Sequence, residues 1–487
     1  MSLQQWQEEG VILPIDRVLA EWMGKDSPFA AQAVLCFLSA AVRQGHLCVE
    51  MGQPNPCALI PEIPHIAALI EEGFAHVPDH PALVKHQGKL YFKRHFEDER
   101  HVWQELARIG QAHVEPIAAN FDHLPLLAEQ KKAAEHVCLH PLTLITGGPG
   151  TGKTTTCAHL VQTLKNSAPG LKIEIGAPTG KAAVHLERSL GIEGLKGKTL
   201  HTLLSGALPL KADLIMVDES SMIDASLMAR LLGAVKTGAR LVMLGDPDQL
   251  PPVGAGALFS DFVQGGSHVA ALTQCMRCDL QEIVWFASAV KRGAIEEALA
   301  CPISRKPLPA PKELVAQVCC SGAALLSPIR KGPYGVDSLN TLFLEHYLQR
   351  WDKGSSFCAP IMIAANNKKL ELANGEVGLL YRKKGMEPSL GDMAVFGQRE
   401  IPAALLPRFE YAWCLSVHKS QGSEFENVVL LLPEGSQGFG RKVLYTGATR
   451  ARKSLEIWGD EKELRETIAQ DGNRVSGFRE TPFLNLK

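Results

Sequence analysis

Lys153 and Thr154 follow directly on a glycine-rich turn, Gly147-Gly148-Pro149-Gly150-Thr151-Gly152, with Thr155 next in line. That order of residue types suits a polyphosphate. Backbone N–H groups of the turn cradle it, Lys153 reaches its terminal phosphates, and the Thr154 hydroxyl is placed to ligand Mg²⁺. Such a turn works only between a strand that delivers it and a helix N-terminus that receives it. The sequence supplies both: an apolar run, PLTLIT, before the turn and a helix opening at Lys153. A plain glycine turn has no need of the Lys-Thr pair.

A phosphate loop implies a nucleotide but not the work done with it. Downstream, Leu214 to Val217 is an apolar run too short for a helix and suited to a buried parallel strand, and it ends in Asp218 and Glu219. At such a strand end Asp218 can hold Mg²⁺ through its water shell, and Glu219 can orient or deprotonate the water that attacks a γ-phosphate. Taken alone, an acidic pair there is as readily a solvated strand end; about 65 residues beyond a phosphate loop it reads as chemistry. A third strand, Arg240 to Leu244, leads into Gly245, Asp246, Pro247, Asp248 and Gln249. Gln249 is placed to meet the γ-phosphate beyond the carboxyl ends of the strands, or else belongs to a rigid proline-rich turn.

The order GGPGTGKTTT, APTGKAA (177–183), TLHTLL (199–204), VDESSMID (217–224) and GDPDQLPPVGAGAL (245–258) resembles superfamily 1 helicases. LTQCMR (272–277), SPIRKGPYGVDSLN (327–340), NGEVG (374–378), SVHKSQGSEF (416–425) and LYTGATRAR (444–452) narrow the likeness to the RecD family, α subunits of RecBCD-type exonuclease V. The resemblance implies an α/β fold: two RecA-like parallel-sheet motor domains of the P-loop NTPase class, with a mostly helical N-terminal domain and a small inserted β-barrel. The boundaries read as 1–118 for the N-terminal domain, 119–275 for the first motor domain, 276–359 and 414–487 for the second, and 360–413 for the barrel. Asn374-Gly375 and Gly391-Asp392 supply hairpin signals within that last stretch.

Residue by residue, the resemblance puts ATP and Mg²⁺ between the motor domains. Lys153, Thr154, Asp218, Glu219 and Gln249 come from the first. Arg277 and Arg450 fall at the family's arginine positions, which meet the charge developing on the transferred phosphoryl group. Gln130 matches the glutamine that reads the adenine edge, and Glu424 is a further nucleotide contact. Single-stranded DNA is expected to cross both domains, held through phosphates and base stacking by Pro178, Thr179, Lys181, Thr199, His201, Asn366, His418, Lys419 and Ser420. Family membership implies 5′→3′ movement; spacing and charge carry no polarity.

ILPIDRVLA (12–20), GHLCVEM (45–51) and LYFKRHFEDER (90–100) are similar to the opening domain of RecD proteins, which docks onto the RecC subunit. The expected partners are therefore RecB-like and RecC-like subunits. One departure stands out. Only SGALPLKA (205–212) lies where such helicases carry a strand-splitting hairpin, and two strands with a turn need about a dozen residues. The isolated chain is expected to translocate better than it unwinds. The alternatives are a free-standing DNA or RNA helicase, which the docking-type first domain disfavours, and a non-catalytic scaffold, which the intact motif set disfavours.

Composition agrees. The 487 residues have room for three or four domains, and 46% apolar content is ample for their cores. No apolar run reaches membrane length, and the polar, acidic start resembles neither a secretory signal nor a transit peptide, so a soluble cytoplasmic protein is the simplest reading. The net charge of −2 divides into −6 over residues 1–120 and +4 over the remainder, leaving scope for a basic track in the motor region. The 12 cysteines, with a single C-x-x-C at Cys275 and Cys278, form neither a disulfide framework nor a zinc motif. Among the 17 histidines, His76, His80, His86 and His95 fit no H-E-x-x-H or equivalent spacing and read as structural or solvated. No metal-nuclease carboxylate constellation is visible.

Overall fold

A computed structural model describes residues 2–51, 66–266, 268–275, 281–319, 321–350, 357–367, 369–382 and 392–477. The N-terminal region is helical, as expected, and also carries a three-stranded antiparallel sheet, β1 (Cys48–Glu50), β2 (Leu83–His86) and β3 (Lys89–Phe92), in the order β1-β3-β2. Gln87 and Gly88, both at positive φ, make the two-residue turn between β2 and β3. The helix Phe29–Arg43 is apolar on nearly every side and forms the centre of this region, packed by Trp6, Ile70 and Leu90. Its neighbour, the helix Pro14–Met23, is pinned by one buried acid. Asp16 accepts from Ser39 Oγ (2.7 Å), Arg43 Nε (3.0 Å) and the Leu13 N–H (3.0 Å). Ile15, Val18 and Trp22 are left exposed on that helix.

The next sheet holds β4 (Leu142–Gly147), β5 (Ile173–Ala177), β6 (Gly197–Thr199), β7 (Leu214–Val217), β8 (Arg240–Gly245) and β9 (Val269–Leu272). All are parallel, in the order β6-β5-β7-β8-β4-β9. Both faces are covered, so its central strands are continuous apolar runs whose side chains alternate between two cores. Ile215, Val217, Leu241 and Met243 enter one core; Leu214, Met216, Val242 and Leu244 enter the other. The helix Lys93–Gly110 supplies Val102, Leu106 and Ile109 to the first of these, so the last helix of the N-terminal region is a cover for this sheet.

A second parallel sheet is built from β10 (Ser304–Lys306) and β11 (Ala324–Ser327) and completed late in the chain. Between come β12 (Phe357–Ile363), β13 (Val377–Arg382), β14 (Met393–Phe396), β15 (Arg399–Pro402) and β16 (Phe409–Tyr411), an antiparallel insertion ordered β15-β14-β13-β12-β16. The inserted barrel expected from the resemblance is, among the described residues, an open sheet: its outer strands β15 and β16 do not pair with each other. It is small and closes its own core around Phe357, Ile361 and Phe396, with Trp413 against it. Gly391 of the expected second turn lies outside the described residues. β17 (Cys414–Ser416), β18 (Phe425–Leu432) and β19 (Ala451–Gly459) then finish the second parallel sheet in the order β10-β19-β18-β11-β17. Residues 205–213 hold no strand. No described helix is long and apolar enough to cross a membrane.

Candidate active site at the seam of the two parallel sheets

β4 delivers the glycine-rich turn and the helix Lys153–Ser167 receives it. Two glycines are dictated by space. Gly152 caps the helix at φ +81°, and a Cβ on Gly147 would lie 2.7 Å from the Leu272 carbonyl oxygen. Lys153 Nζ donates to the carbonyls of Gly147 (2.6 Å) and Gly148 (3.1 Å), which sets its ammonium inside the loop. Thr151 and Thr156 brace the turn through Gly148 O and Gly152 O, each at 2.8 Å; Thr154 is half-buried and Thr155 exposed. Gln130 is buried, its Oε1 accepting from the Leu127 N–H and its Nε2 donating to Thr151 O, both at 3.0 Å. Its amide therefore supports the loop backbone.

Asp218 and Glu219 follow β7 at the same sheet end. Burial pushes the Asp218 carboxyl above the usual range, opposed by the Glu219 N–H, which donates to Oδ1 at 2.8 Å, and by Lys153. Glu219 is raised too, first by burial and then by Asp218, with Arg450 and Lys153 pulling the other way. Its φ of +51° is a left-handed backbone uncommon outside glycine, the kind of local strain that clusters at working sites. Beyond β8, Asp246 is buried and its carboxyl is raised by burial. It accepts from Tyr445 Oη at 2.8 Å, the Asp248 N–H at 3.1 Å and Gln249 Nε2 at 3.3 Å. Gln249 Oε1 is buried without a hydrogen-bond partner, an acceptor held beside the carboxylates.

The second sheet contributes the opposite wall. The helix Arg441–Ala448 sets Tyr445 against Asp246, Thr446 Oγ1 to receive the Leu250 N–H (2.8 Å), and Lys442 Nζ on Pro247 O (3.3 Å). Gln421 Nε2 adds a bond to Leu250 O at 3.2 Å. Arg450, buried just past that helix, donates to the carbonyls of Thr446 and Ser423. Burial lowers its pKa, while Glu219 and Asp246, charges from the first sheet, hold it up. A cavity of about 330 Å³ opens beside the loop, lined by Gly148, Pro149, Asp246, Cys275, Lys291 and Tyr445. Neither Asp246 nor Tyr445 stands out within its own sequence string; their pairing needs both sheets.

Arg277 lies outside the described residues. Glu424 is exposed and pairs with Arg452 at 3.2 Å. Among the expected strand contacts, Thr179 and Thr199 cap helices by accepting from Ala182 and Thr202 N–H groups. Lys181 reaches across the seam to the Ser423 hydroxyl, its pKa lowered by burial and by Arg450. Pro178 is half-buried, while His201 and Asn366 are exposed. The Asn366 side chain accepts from the Asn374 N–H at 2.8 Å. Lys419 pairs with Glu410 at 3.1 Å. His418 is half-buried, its pKa pushed down to about 4 by burial and by Arg474. Ser420 has no exposed surface and donates to Val417 O at 2.7 Å, so its side chain is closed to a strand in this arrangement.

A phosphate loop and two strand-end carboxylates on one parallel sheet, with a buried arginine from another, define an ATP-hydrolysing motor of the superfamily 1 helicase class. The family model for an AAA domain matches residues 125–306, and that for a UvrD-like helicase C-terminal domain matches residues 411–457. The RecBCD enzyme subunit RecD of Mycolicibacterium smegmatis is 31% identical over 533 residues, spanning 93% of this chain and 94% of that one. The ATP-dependent RecD2 DNA helicase of Deinococcus radiodurans is 31% identical over 369 residues, 67% of this chain and 48% of that one. A Pif1 helicase from Candida albicans superposes with a TM-score of 0.48 at 18% identity, over 70% of this chain and 96% of that one. The chain belongs to the RecD family. It is an ATP-hydrolysing DNA helicase.

Proposed function

We propose that this chain is the 5′→3′ single-stranded DNA motor of a RecBCD-like exonuclease V, acting in double-strand break repair and recombination within a cytoplasmic heterotrimer of RecB-like, RecC-like and RecD-like subunits. The observation that carries the reading is Arg450, a buried cation from the second sheet within electrostatic reach of Glu219 and Asp246 on the first. An arginine so placed changes its relation to the phosphates whenever the two sheets shift, which couples hydrolysis to movement. The motor domains are taken as 119–275 and 276–359 with 414–487, the insertion as 360–413.

The donor set fits Mg²⁺: the Thr154 hydroxyl and Asp218 carboxylate would supply hard oxygen ligands, and the buried, unpartnered Oε1 of Gln249, whose Nε2 donates to Asp246, is a further free acceptor of this site. When bound, the ion neutralises charge on the β- and γ-phosphates. Lys153 and the loop N–H groups hold the phosphates. Glu219, with its carboxyl raised, accepts a proton from the attacking water, and Gln249 positions that water. Arg450 and Arg277 meet charge on the transferred phosphoryl group. The cavity beside Pro149 and Cys275 takes the nucleoside, and Gln130, which braces the loop, and Glu424 are its further nucleotide contacts. DNA lies over Pro178, Thr179, Lys181, Thr199 and His201, then Asn366, His418 and Lys419.

The exposed Ile15, Val18 and Trp22 on the helix Pro14–Met23 stand at spacings of three and four, one face of a helix, and offer the RecC-like partner an apolar anchor. Steady-state ATP hydrolysis with and without single-stranded DNA, with Lys153→Ala as blank, tests the motor. Strong DNA stimulation abolished by that change supports it. Hydrolysis absent even with RecB-like and RecC-like subunits present overturns it.

A further inference from the structure

At the end of the first parallel sheet opposite the phosphate loop, three imidazoles converge. His136 lies in the last turn of the helix Ala128–Leu139, His140 caps that helix four residues on, and His268 stands directly before β9, beside β4. Ligand nitrogens of the three lie within 4.8 Å of one another. His136 and His140 stack with ring centroids 3.9 Å apart, and His268 meets both edge-on at 6.4 and 6.3 Å. His136 Nδ1 is 3.0 Å from the Thr143 hydroxyl on β4, a bond that fixes the ring and leaves Nε2 as its ligand atom. The carbonyl of His268 accepts the Leu144 N–H at 2.8 Å, so its backbone is anchored to the same strand.

We propose that His136, His140 and His268 bind one divalent transition-metal ion, Zn²⁺ by preference, which clamps the foot of the motor sheet. Three imidazoles select d-block ions over Mg²⁺ and Ca²⁺, which favour oxygen. Histidines at i and i+4 share a helix face and form a ready two-point clamp. A tetrahedral ion with bonds of about 2.0–2.1 Å needs nitrogens roughly 3.3 Å apart, so the cluster has to close by no more than about 1.5 Å. A water takes the fourth place.

The location assigns a structural role. Substrates of open parallel sheets bind beyond the carboxyl ends of the strands, and this cluster sits at the amino ends. The metal joins the helix Ala128–Leu139 to β4 and β9. It also borders the helix Lys93–Gly110, since a Cβ on Gly110 would lie 3.4 Å from His268 Nε2. The clamped helix carries Gln130, the brace of the phosphate loop, at its other end. In the sequence, the His136 and His140 spacing was the one visible signal; His268 is brought in only by the β4–β9 pairing.

The test is a titration of the metal-free full chain, without a polyhistidine tag and without nucleotide, with Zn²⁺ against a chromophoric chelator. One equivalent bound at a Kd below about 1 μM is expected, weakened at least about tenfold in His140→Gln and in His268→Ala and unchanged in His76→Ala. Because the chain has 12 cysteines, X-ray absorption of the Zn²⁺-loaded protein must show nitrogen and oxygen neighbours only. Zn²⁺ should also raise Tm in the parent chain and not in the two variants, whose Mg²⁺-dependent ATP hydrolysis reports that they are folded. Sulfur ligation, binding indifferent to both substitutions, or no stoichiometric uptake overturns the proposal.

Discussion

Tyr445→Phe removes one oxygen from the seam between the sheets and leaves the ring in place. The Tyr445 hydroxyl donates at 2.8 Å to Asp246 Oδ2, and the two residues are 6% and 2% exposed. A hydrogen bond to a buried carboxylate is worth about 1.5–3 kcal/mol. Without it, Oδ2 keeps only the longer bond from Gln249 at 3.3 Å. Tyr445 shares its helix end with Arg450, so the loss falls on the geometry that brings the arginine to the carboxylates. If that geometry is needed only while ATP is hydrolysed, turnover falls about 10- to 150-fold at 1.36 kcal/mol per tenfold, with nucleotide affinity within about threefold. DNA-stimulated kcat is to be measured for the parent, Tyr445→Phe, Asp246→Asn and the double variant. A coupling of about 1.5 kcal/mol or more is expected. A Tyr445→Phe turnover within twofold of the parent, with coupling below about 0.5 kcal/mol, refutes the seam as the link between the sheets.

Asp218→Asn should abolish hydrolysis and raise Tm. Burial holds the Asp218, Glu219 and Asp246 carboxyls above their unfolded values, so their contribution to stability is complete below the unfolded pKa of about 4 and is lost as pH rises through the raised folded values. The Tm advantage of the variant should therefore grow from about pH 5 to pH 8, and a shrinking one contradicts the assignment. Trp22→Ala should weaken binding of a RecC-like subunit by about tenfold or more, measured by calorimetry, with ATP hydrolysis by the isolated chain unchanged. Ser420→Ala should leave single-stranded DNA affinity within about twofold, whereas Lys419→Ala should reduce the slope of log affinity against log salt by about 0.7. In stopped-flow assays the isolated chain should move along single strands and fail on blunt-flanked duplex; robust unwinding there would refute the inference drawn from the short segment 205–212.

The sequence by itself determined the local chemistry. The phosphate loop, the strand-end carboxylates at 218 and 219 and the parallel strands around them were legible because each is written in contiguous residues: an apolar run of strand length, a turn of glycines, a helix start. The hairpin β12–β13 was legible for the same reason, while the sheet β1-β3-β2 was not, since strands of three or four residues carry little periodicity and its Gln87-Gly88 turn is a weak signal. Only the tertiary structure decided which polar groups work together. The strings that carry Lys181 and Ser420 say nothing of their depth: Lys181 lies at the seam against Ser423 and Ser420 in the core, because burial depends on what packs on top. Asp246 with Tyr445, Glu219 with Arg450, and His268 with His136 and His140 each join residues more than a hundred positions apart. No local pattern encodes such meetings; they exist because two sheets pack, and because parallel strands align chain ends that are distant in sequence.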